Sequence, residues 1–136
     1  MFRFVFRGMN QSFQVLEDDN MVFNVDNLKN FINTKNVYGF IAKDNDKIMA
    51  FAYGYGLTRP DGKVMFYLHS IGVLPKDQNK GIGSKMMKFI VNFAKENNFS
   101  EVFVITEKDN VRACRVYEKA GFGNDIENEI VYVCEF

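Results

Sequence analysis

The sequence predicts one α/β (α+β) domain over residues 1–136: a mixed, mostly antiparallel central sheet flanked by helices on both sides. Three observations carry that expectation. Three apolar and aromatic runs, residues 37–42, 48–57 and 64–73, follow one another across short polar turns, as an antiparallel meander does. The third passes through a glycine-bearing turn into a stretch whose apolar residues recur at helical spacing, and that stretch leads to a further apolar run. Apolar residues make up 47% of the chain, with 15 Phe, which is enough to bury a proper core at this length.

Taken in order, residues 2–7 alternate Phe and Val with Arg, as a half-buried strand does, and Gly8 and Asn10 break it. Residues 10–19 can hold a short helix ending in the acidic turn Glu17, Asp18, Asp19 and Asn20. Asp26 stands near the N-cap of a helix whose Leu28, Phe31 and Ile32 form one face. Residues 37–42 form a strand, 43–47 a polar turn and 48–57 the hairpin partner. Pro60 and Gly62 make the next turn before the long third strand. The helix after it runs to Glu96 or Asn97. Met86, Met87, Ile90, Val91 and Ala94 make its apolar face, with Lys85, Lys88, Asn92, Lys95 and Glu96 opposite. Asn97 and Asn98 suit a left-handed C-terminal cap. Residues 101–106 are apolar on both faces, as in a central parallel strand reached by a right-handed crossover. Asn110 opens a last helix, with Val111, Ala113, Cys114 and Tyr117 inward, Arg112, Arg115, Glu118 and Lys119 outward, and Gly121 as its cap. Residues 130–134 are expected to close the sheet as a final strand.

The turn between the third strand and its helix concentrates the chemistry. Gly81 and Gly83 sit where turn becomes helix. A helix start leaves several N–H groups without intrahelical partners and carries partial positive charge. Glycine lets an anion approach those groups with no Cβ in the way. Gln78, Lys80 and Lys85 add donors, so the stretch reads as a phosphate or pyrophosphate cradle. It lacks the Walker pattern, and it has only the first two glycines of the dinucleotide fingerprint.

Gln78-x-x-Gly81-x-Gly83, after a strand ending in Val-x-Pro, resembles the acetyl-CoA motif of the GNAT superfamily of N-acetyltransferases. Asn110-x-x-Ala113-x-x-x-Tyr117-x-Lys119-x-Gly121-Phe122 is similar to the second GNAT signature, a helix and a strand further on. The resemblance covers residues 64–122 well, and the first sixty residues only in their order of elements. It implies the GNAT acyl-CoA N-acyltransferase fold and acetyl-CoA as cosubstrate, with no metal. Gln78, Asn79, Lys80, Gly81, Ile82, Gly83 and Ser84 are then expected to hold the coenzyme's pyrophosphate. The backbone of Ile71, Gly72 and Val73 is expected to pair with the pantetheine arm, and the Val73 N–H to polarise the thioester carbonyl. Asn110 is expected to hydrogen-bond the pantetheine, and Tyr117 to protonate the departing thiolate. The compact size, the acidic turn and the short closing strand also resemble the aminoglycoside 3-N-acetyltransferases. Those enzymes tend to carry an acidic residue where Ser70 stands here.

An ammonium has no lone pair, so a base or a water relay must take its proton. Tyr67 and His69 lie two apart and share a face if their strand is regular. His69 is the only histidine, and an imidazole titrates near pH ~6.5. It is the candidate base, against the plainer reading of a histidine satisfied by a backbone carbonyl. Glu107 and Asp109 can draw a cation or simply be solvated loop charge; Cys114 reads as a small helix residue rather than a nucleophile. Lysine plus arginine equals aspartate plus glutamate, 17 each, so charge supports neither nucleic acid nor membrane surface as a partner. No apolar run spans a bilayer, and Cys114 and Cys134 make no disulfide framework, so a cytoplasmic setting with reduced thiols is expected. The expected acceptor is a small-molecule amine, an aminoglycoside among the options. A peptide or protein acceptor, or a non-catalytic acyl-CoA-binding module, is the alternative. A homodimer is left open.

Overall fold

The computed structural model describes residues 2–4, 25–124 and 129–136; residues 10–19, where a helix and an acidic turn are expected, lie outside them. The side chains of residues 2–4, Val25 and Leu28 are likewise outside the description. Five strands form one sheet in sequence order: β1 (Phe2–Phe4), β2 (Val37–Asp44), β3 (Lys47–Thr58), β4 (Val64–Val73) and β5 (Glu101–Val104). The first three pairings are antiparallel and β4–β5 is parallel, as the meander and crossover pattern implies. Helix α1 (Val25–Asn33) precedes β2, α2 (Ile82–Glu96) joins β4 to β5, and α3 (Val111–Lys119) follows β5. Asn45, at φ 53°, turns the β2–β3 hairpin.

The two sheet faces bury different helices. On one, Phe40, Phe66 and Leu68 pack against Met86, Met87 and Ile90 of α2. Each such side chain is worth about 1.5–3 kcal/mol on leaving water. On the other, Ile41 and Tyr53 pack against Phe31 and Ile32 of α1. Helix α2 ends where expected: Asn98 takes φ 60°, its N–H reaches the Lys95 carbonyl at 3.2 Å, and the Phe99 N–H reaches that of Ala94 at 2.9 Å. That is the paired hydrogen bonding of a Schellman cap.

Strand β4 is not regular. Tyr53 pairs with Ser70 and Gly54 with Leu68, so His69 is the extra residue of a β-bulge. Gly54 stands opposite it because a Cβ there would lie 2.3 Å from the Tyr67 carbonyl oxygen. Before the bulge Phe66 and Leu68 face the α2 side; after it Ile71 and Val73 do. Strand β5 pairs with β4 only from Met65 to Leu68. The β4 edge at residues 71–73 therefore has no strand beside it on the β5 side among the described residues.

Two expectations need correction. Residues 130–134 form no strand, and Ile130, Val131, Tyr132 and Val133 are all exposed. A continuous β-prone run becomes a strand only when a ladder partner accepts it, and local composition cannot supply one. In α3 the inward face is not Val111 and Cys114. Val111 is 55% exposed, while Ala113, Val116, Tyr117 and Ala120 pack on the core. The helix presents its first turn to a cleft rather than to the sheet.

Candidate active site

The cleft has a volume of about 870 Å³ and lies between the end of β4, the turn into α2, and α3. Every residue of the expected set except Lys80 and His69 lines it. Its floor is the open β4 edge at Ile71, Gly72 and Val73, and one wall is the first turn of α2. Gly81, at φ 76°, is the helix N-cap and supplies no side-chain hydrogen bond. Its carbonyl takes the Lys85 N–H at 3.1 Å. The N–H groups of residues 81–84 precede that first intrahelical bond. A Cβ on Gly81 would meet nothing within 4 Å, and one on Gly83 would point between Val73 and Val116 at 3.6–4.0 Å. Gly81 thus leaves open space at the helix start, and Gly83 keeps the gap beside Val73 and Val116 clear of a side chain, which fits a phosphate ester at the N–H groups.

A hydrogen-bonded chain ties the walls together. Gln78 Nε2 donates to the Val73 carbonyl at 3.1 Å. Arg112 of α3 donates through Nη1 to Gln78 Oε1, and through Nη2 to Asn79 Oδ1 at 2.9 Å. Arg112 was expected to face solvent; it is exposed, yet it spans the cleft mouth. The readable signal was its place at the head of a basic row, Arg112, Arg115 and Lys119, inside the second signature. Lys80 sits differently from expectation: its Nζ lies 3.3 Å from Asp77 Oδ1. Asp77 is 9% exposed, and its Oδ2 is buried with no partner among the described residues. The Lys80 charge is thereby offset, and Arg112 is the cation that reaches Gln78 and Asn79.

Asn110 caps α3, its Oδ1 accepting from the Ala113 N–H at 3.2 Å, which leaves its side-chain NH₂ at the cleft. At the other end Gly121 takes φ 92°. The Gly121 N–H reaches the Glu118 carbonyl at 3.0 Å and the Phe122 N–H reaches that of Tyr117 at 3.1 Å. Phe122 packs on the Tyr117 ring at 6.0 Å between centroids, the apolar contact of a Schellman cap. So the Gly-Phe pair that ends the helix also holds Tyr117. Tyr117 is 9% exposed and lines the cleft. Burial, and secondarily the Cys114 thiol, push its phenol above the ordinary value of 10.0. It stays protonated across neutral pH and can donate a proton. Cys114 and Cys134 are free thiols.

His69 is exposed and does not line the cleft. Its ring lies 5.6 Å from that of Tyr67, so the two share a face despite the bulge. Glu107 and Asp109 are exposed loop residues. Among the described residues no helix is long and apolar enough to cross a membrane, and no group of three His, Cys, Asp or Glu could hold a metal ion.

The sequence model of the acetyltransferase (GNAT) family matches residues 4–122. A curated relative, the uncharacterized protein YxbD of Bacillus subtilis (strain 168), is 27% identical over 81 residues, 53% of this chain and 51% of that protein. The match thus spans about half the length of that relative. Among solved structures, the aminoglycoside acetyltransferase meta-AAC0020 from an uncultured soil metagenomic sample, in complex with trehalose, superposes with a TM-score of 0.85 at 22% identity, over 100% of this chain and 95% of that one. The ribosomal-protein-alanine N-acetyltransferase of Brucella melitensis biovar Abortus 2308 gives 0.80 at 16%, over 100% and 99%. The aminoglycoside N-acetyltransferase AAC(6')-Iy in complex with CoA gives 0.78 at 16%, over 100% of both chains. At these identities the likeness is one of fold.

Proposed function

The chain belongs to the acetyltransferase (GNAT) family, and from that premise we propose that it moves an acetyl group from acetyl-CoA to the primary amine of a small molecule, by direct attack in a ternary complex. One observation carries the reading: the N–H groups at the α2 start, a β4 edge with no strand beside it among the described residues and a buried protonated Tyr117 meet in a single cleft. Acetyl-CoA supplies an acyl group already activated as a thioester. The N–H groups of residues 81–84 bind pyrophosphate, helped by Arg112. The edge at residues 71–73 offers backbone groups to an extended amide chain, and the Val73 N–H serves the carbonyl as a hydrogen-bond donor. Asn110 contributes its side-chain NH₂.

The new N–C bond forms as the C–S bond breaks. The acceptor's ammonium gives its first proton to His69 or to water beside it; after attack Tyr117 gives its phenol proton to the sulfur, and the second proton lost from nitrogen returns to Tyr117 through water. His69 stands at the bulge, on the opposite face of β4 from the cleft, so base and acid serve the two sides of that strand. An amine acceptor with an aminoglycoside-type framework is one member of the substrate class. The free thiols fit a reducing compartment such as the cytoplasm. The test is thiol release from acetyl-CoA across a panel of aminoglycosides, polyamines, simple amines and peptides. Release that depends on a small amine is expected. Release only with peptides would move the acceptor to protein, and coenzyme binding without release on any amine would leave a non-catalytic acyl-CoA-binding module.

A further inference from the structure

The open edge of β4 does not present all of its backbone groups. The Leu74 N–H donates to the Met49 carbonyl of β3 at 2.8 Å, and Val73 stands opposite Ala50. Backbone groups of successive strand residues point to opposite sides. The N–H and C=O of Val73, and of Ile71 two residues back, therefore face away from β3. They face the side on which β5 pairs no further than Leu68. One of these groups is already taken, because Gln78 Nε2 donates to the Val73 carbonyl at 3.1 Å. Gln78 Oε1 in turn accepts from Arg112 Nη1, and Asn79 Oδ1 holds Arg112 Nη2 at 2.9 Å. A guanidinium only donates and a carbonyl only accepts, so the Gln78 amide must turn its oxygen to Arg112 and its N–H to Val73. Gln78 is half-buried, and both Gln78 and Val73 line the cleft.

Resting on the acetyl-transfer reading above, we propose that Gln78 is a positioning residue: its side chain caps the open β4 edge at Val73 and so fixes the register in which the pantetheine arm pairs with that edge. The arm carries two amides before its thioester. The capped edge offers it two donors, the N–H groups of Ile71 and Val73, and one acceptor, the Ile71 carbonyl. A pantetheine N–H then has one partner, and the arm has one register. A free Val73 carbonyl gives a second register, two residues along, which displaces the arm by about 6.6 Å. The slipped thioester no longer meets the Val73 N–H. The cap thus reserves that N–H for the thioester carbonyl, whose oxygen gains charge as the amine attacks. The same bonds engage Gln78 Oε1 and one Nε2–H within the protein, so this side chain acts on the arm's register rather than as a ligand of the pyrophosphate.

Acetyl-CoA labelled with ¹³C at the acetyl carbonyl reads the register directly, since a hydrogen-bond donor on the oxygen moves that carbon's NMR signal downfield. With the full chain saturated and no amine present, one bound signal downfield of free acetyl-CoA is expected. Gln78→Met removes both ends of the relay, and is expected to return the signal towards its free position or to split it in two. Gln78→Glu keeps the tie to Arg112 but has no N–H for the Val73 carbonyl, and is expected to behave as Gln78→Met does. A side chain that only braced α3 against the turn would leave the Gln78→Glu signal where wild type has it. Turnover of Gln78→Met with the fastest amine of the panel should fall by roughly 10- to 100-fold, with KM for acetyl-CoA within about 3-fold of wild type. A wild-type signal at the free position, or a Gln78→Glu signal matching wild type, overturns the assignment. Should Gln78→Met not fold, the wild-type and Gln78→Glu spectra decide. The rise in melting temperature with acetyl-CoA, read on the same samples, separates the two failures. Its absence sinks the acetyl-transfer reading, whereas a rise with an unshifted carbonyl sinks only the register.

Discussion

Replacing Tyr117 with Phe is expected to lower turnover by about 100-fold, the low end of the 10²–10⁴ typical of a general acid, while the protein stays folded and keeps its affinity for acetyl-CoA. The ring is what packs. Phe122 lies against it in the helix cap, and Phe at position 117 preserves that contact. What goes is the one phenolic proton at the cleft. Because burial holds this phenol above 10.0, its loss of a proton is not expected to shape the pH–rate profile at neutral or mildly alkaline pH. The Tyr117→Phe profile should therefore be lower than wild type but similar in shape over that range. Steady-state kinetics from pH 6 to pH 9 check this. Unchanged turnover would make Tyr117 a core aromatic and pass the leaving-group proton to water. A CoA thiolate leaves fairly readily, so the loss belongs at the lower end of the range.

Gly83→Val is expected to weaken coenzyme binding by roughly 100-fold or more, by occluding N–H groups that give an anion its site. The protein itself tolerates a side chain here. A Cβ at Gly83 comes no nearer than 3.6 Å to Val73 and 3.9 Å to Val116, ordinary contact distances. The extra methyls are expected to project into the cleft beside Val73 and Val116, which both line it. Melting temperature without ligand should fall only slightly, so weaker binding is not a folding defect. Calorimetric titration with CoA reads the effect directly. Affinity within about 3-fold of wild type would place the phosphates elsewhere. Gly81 is a less clean probe, since its φ of 76° strains any side chain whatever the ligand does.

The parts of the fold legible in the sequence are those encoded by local pattern. The change of period at Gly81, from strand to helix, marked β4, α2 and β5, and both asparagine and glycine helix caps were visible as residues. The residues lining the cleft were legible because two short signatures bracket it. The bulge at His69 was not, since it arises from how Tyr53 and Gly54 pair across the sheet. That one inserted residue moves the α2-facing side chains from Phe66 and Leu68 to Ile71 and Val73, and the β5 ladder ends just before it, at Leu68. Arg112 looked like solvent charge because helical periodicity separates apolar from polar, not bridging from idle. Asp77, buried beneath Lys80, runs against the usual exposure of aspartate and had no local signal. Residues 130–134 show the reverse case, a strong strand pattern for which the fold provides no ladder.

The most direct measurement of the central claim is thermal unfolding of the chain with acetyl-CoA, CoA, NAD and ATP at matched concentrations. A ligand that binds only the folded state at 100 times its dissociation constant adds about 2.7 kcal/mol. For a domain of this size that is a rise of roughly 5–15 °C in melting temperature. Acetyl-CoA and CoA are expected to give it, with NAD and ATP giving far less. Stabilisation by ATP with none by acetyl-CoA would contradict the account.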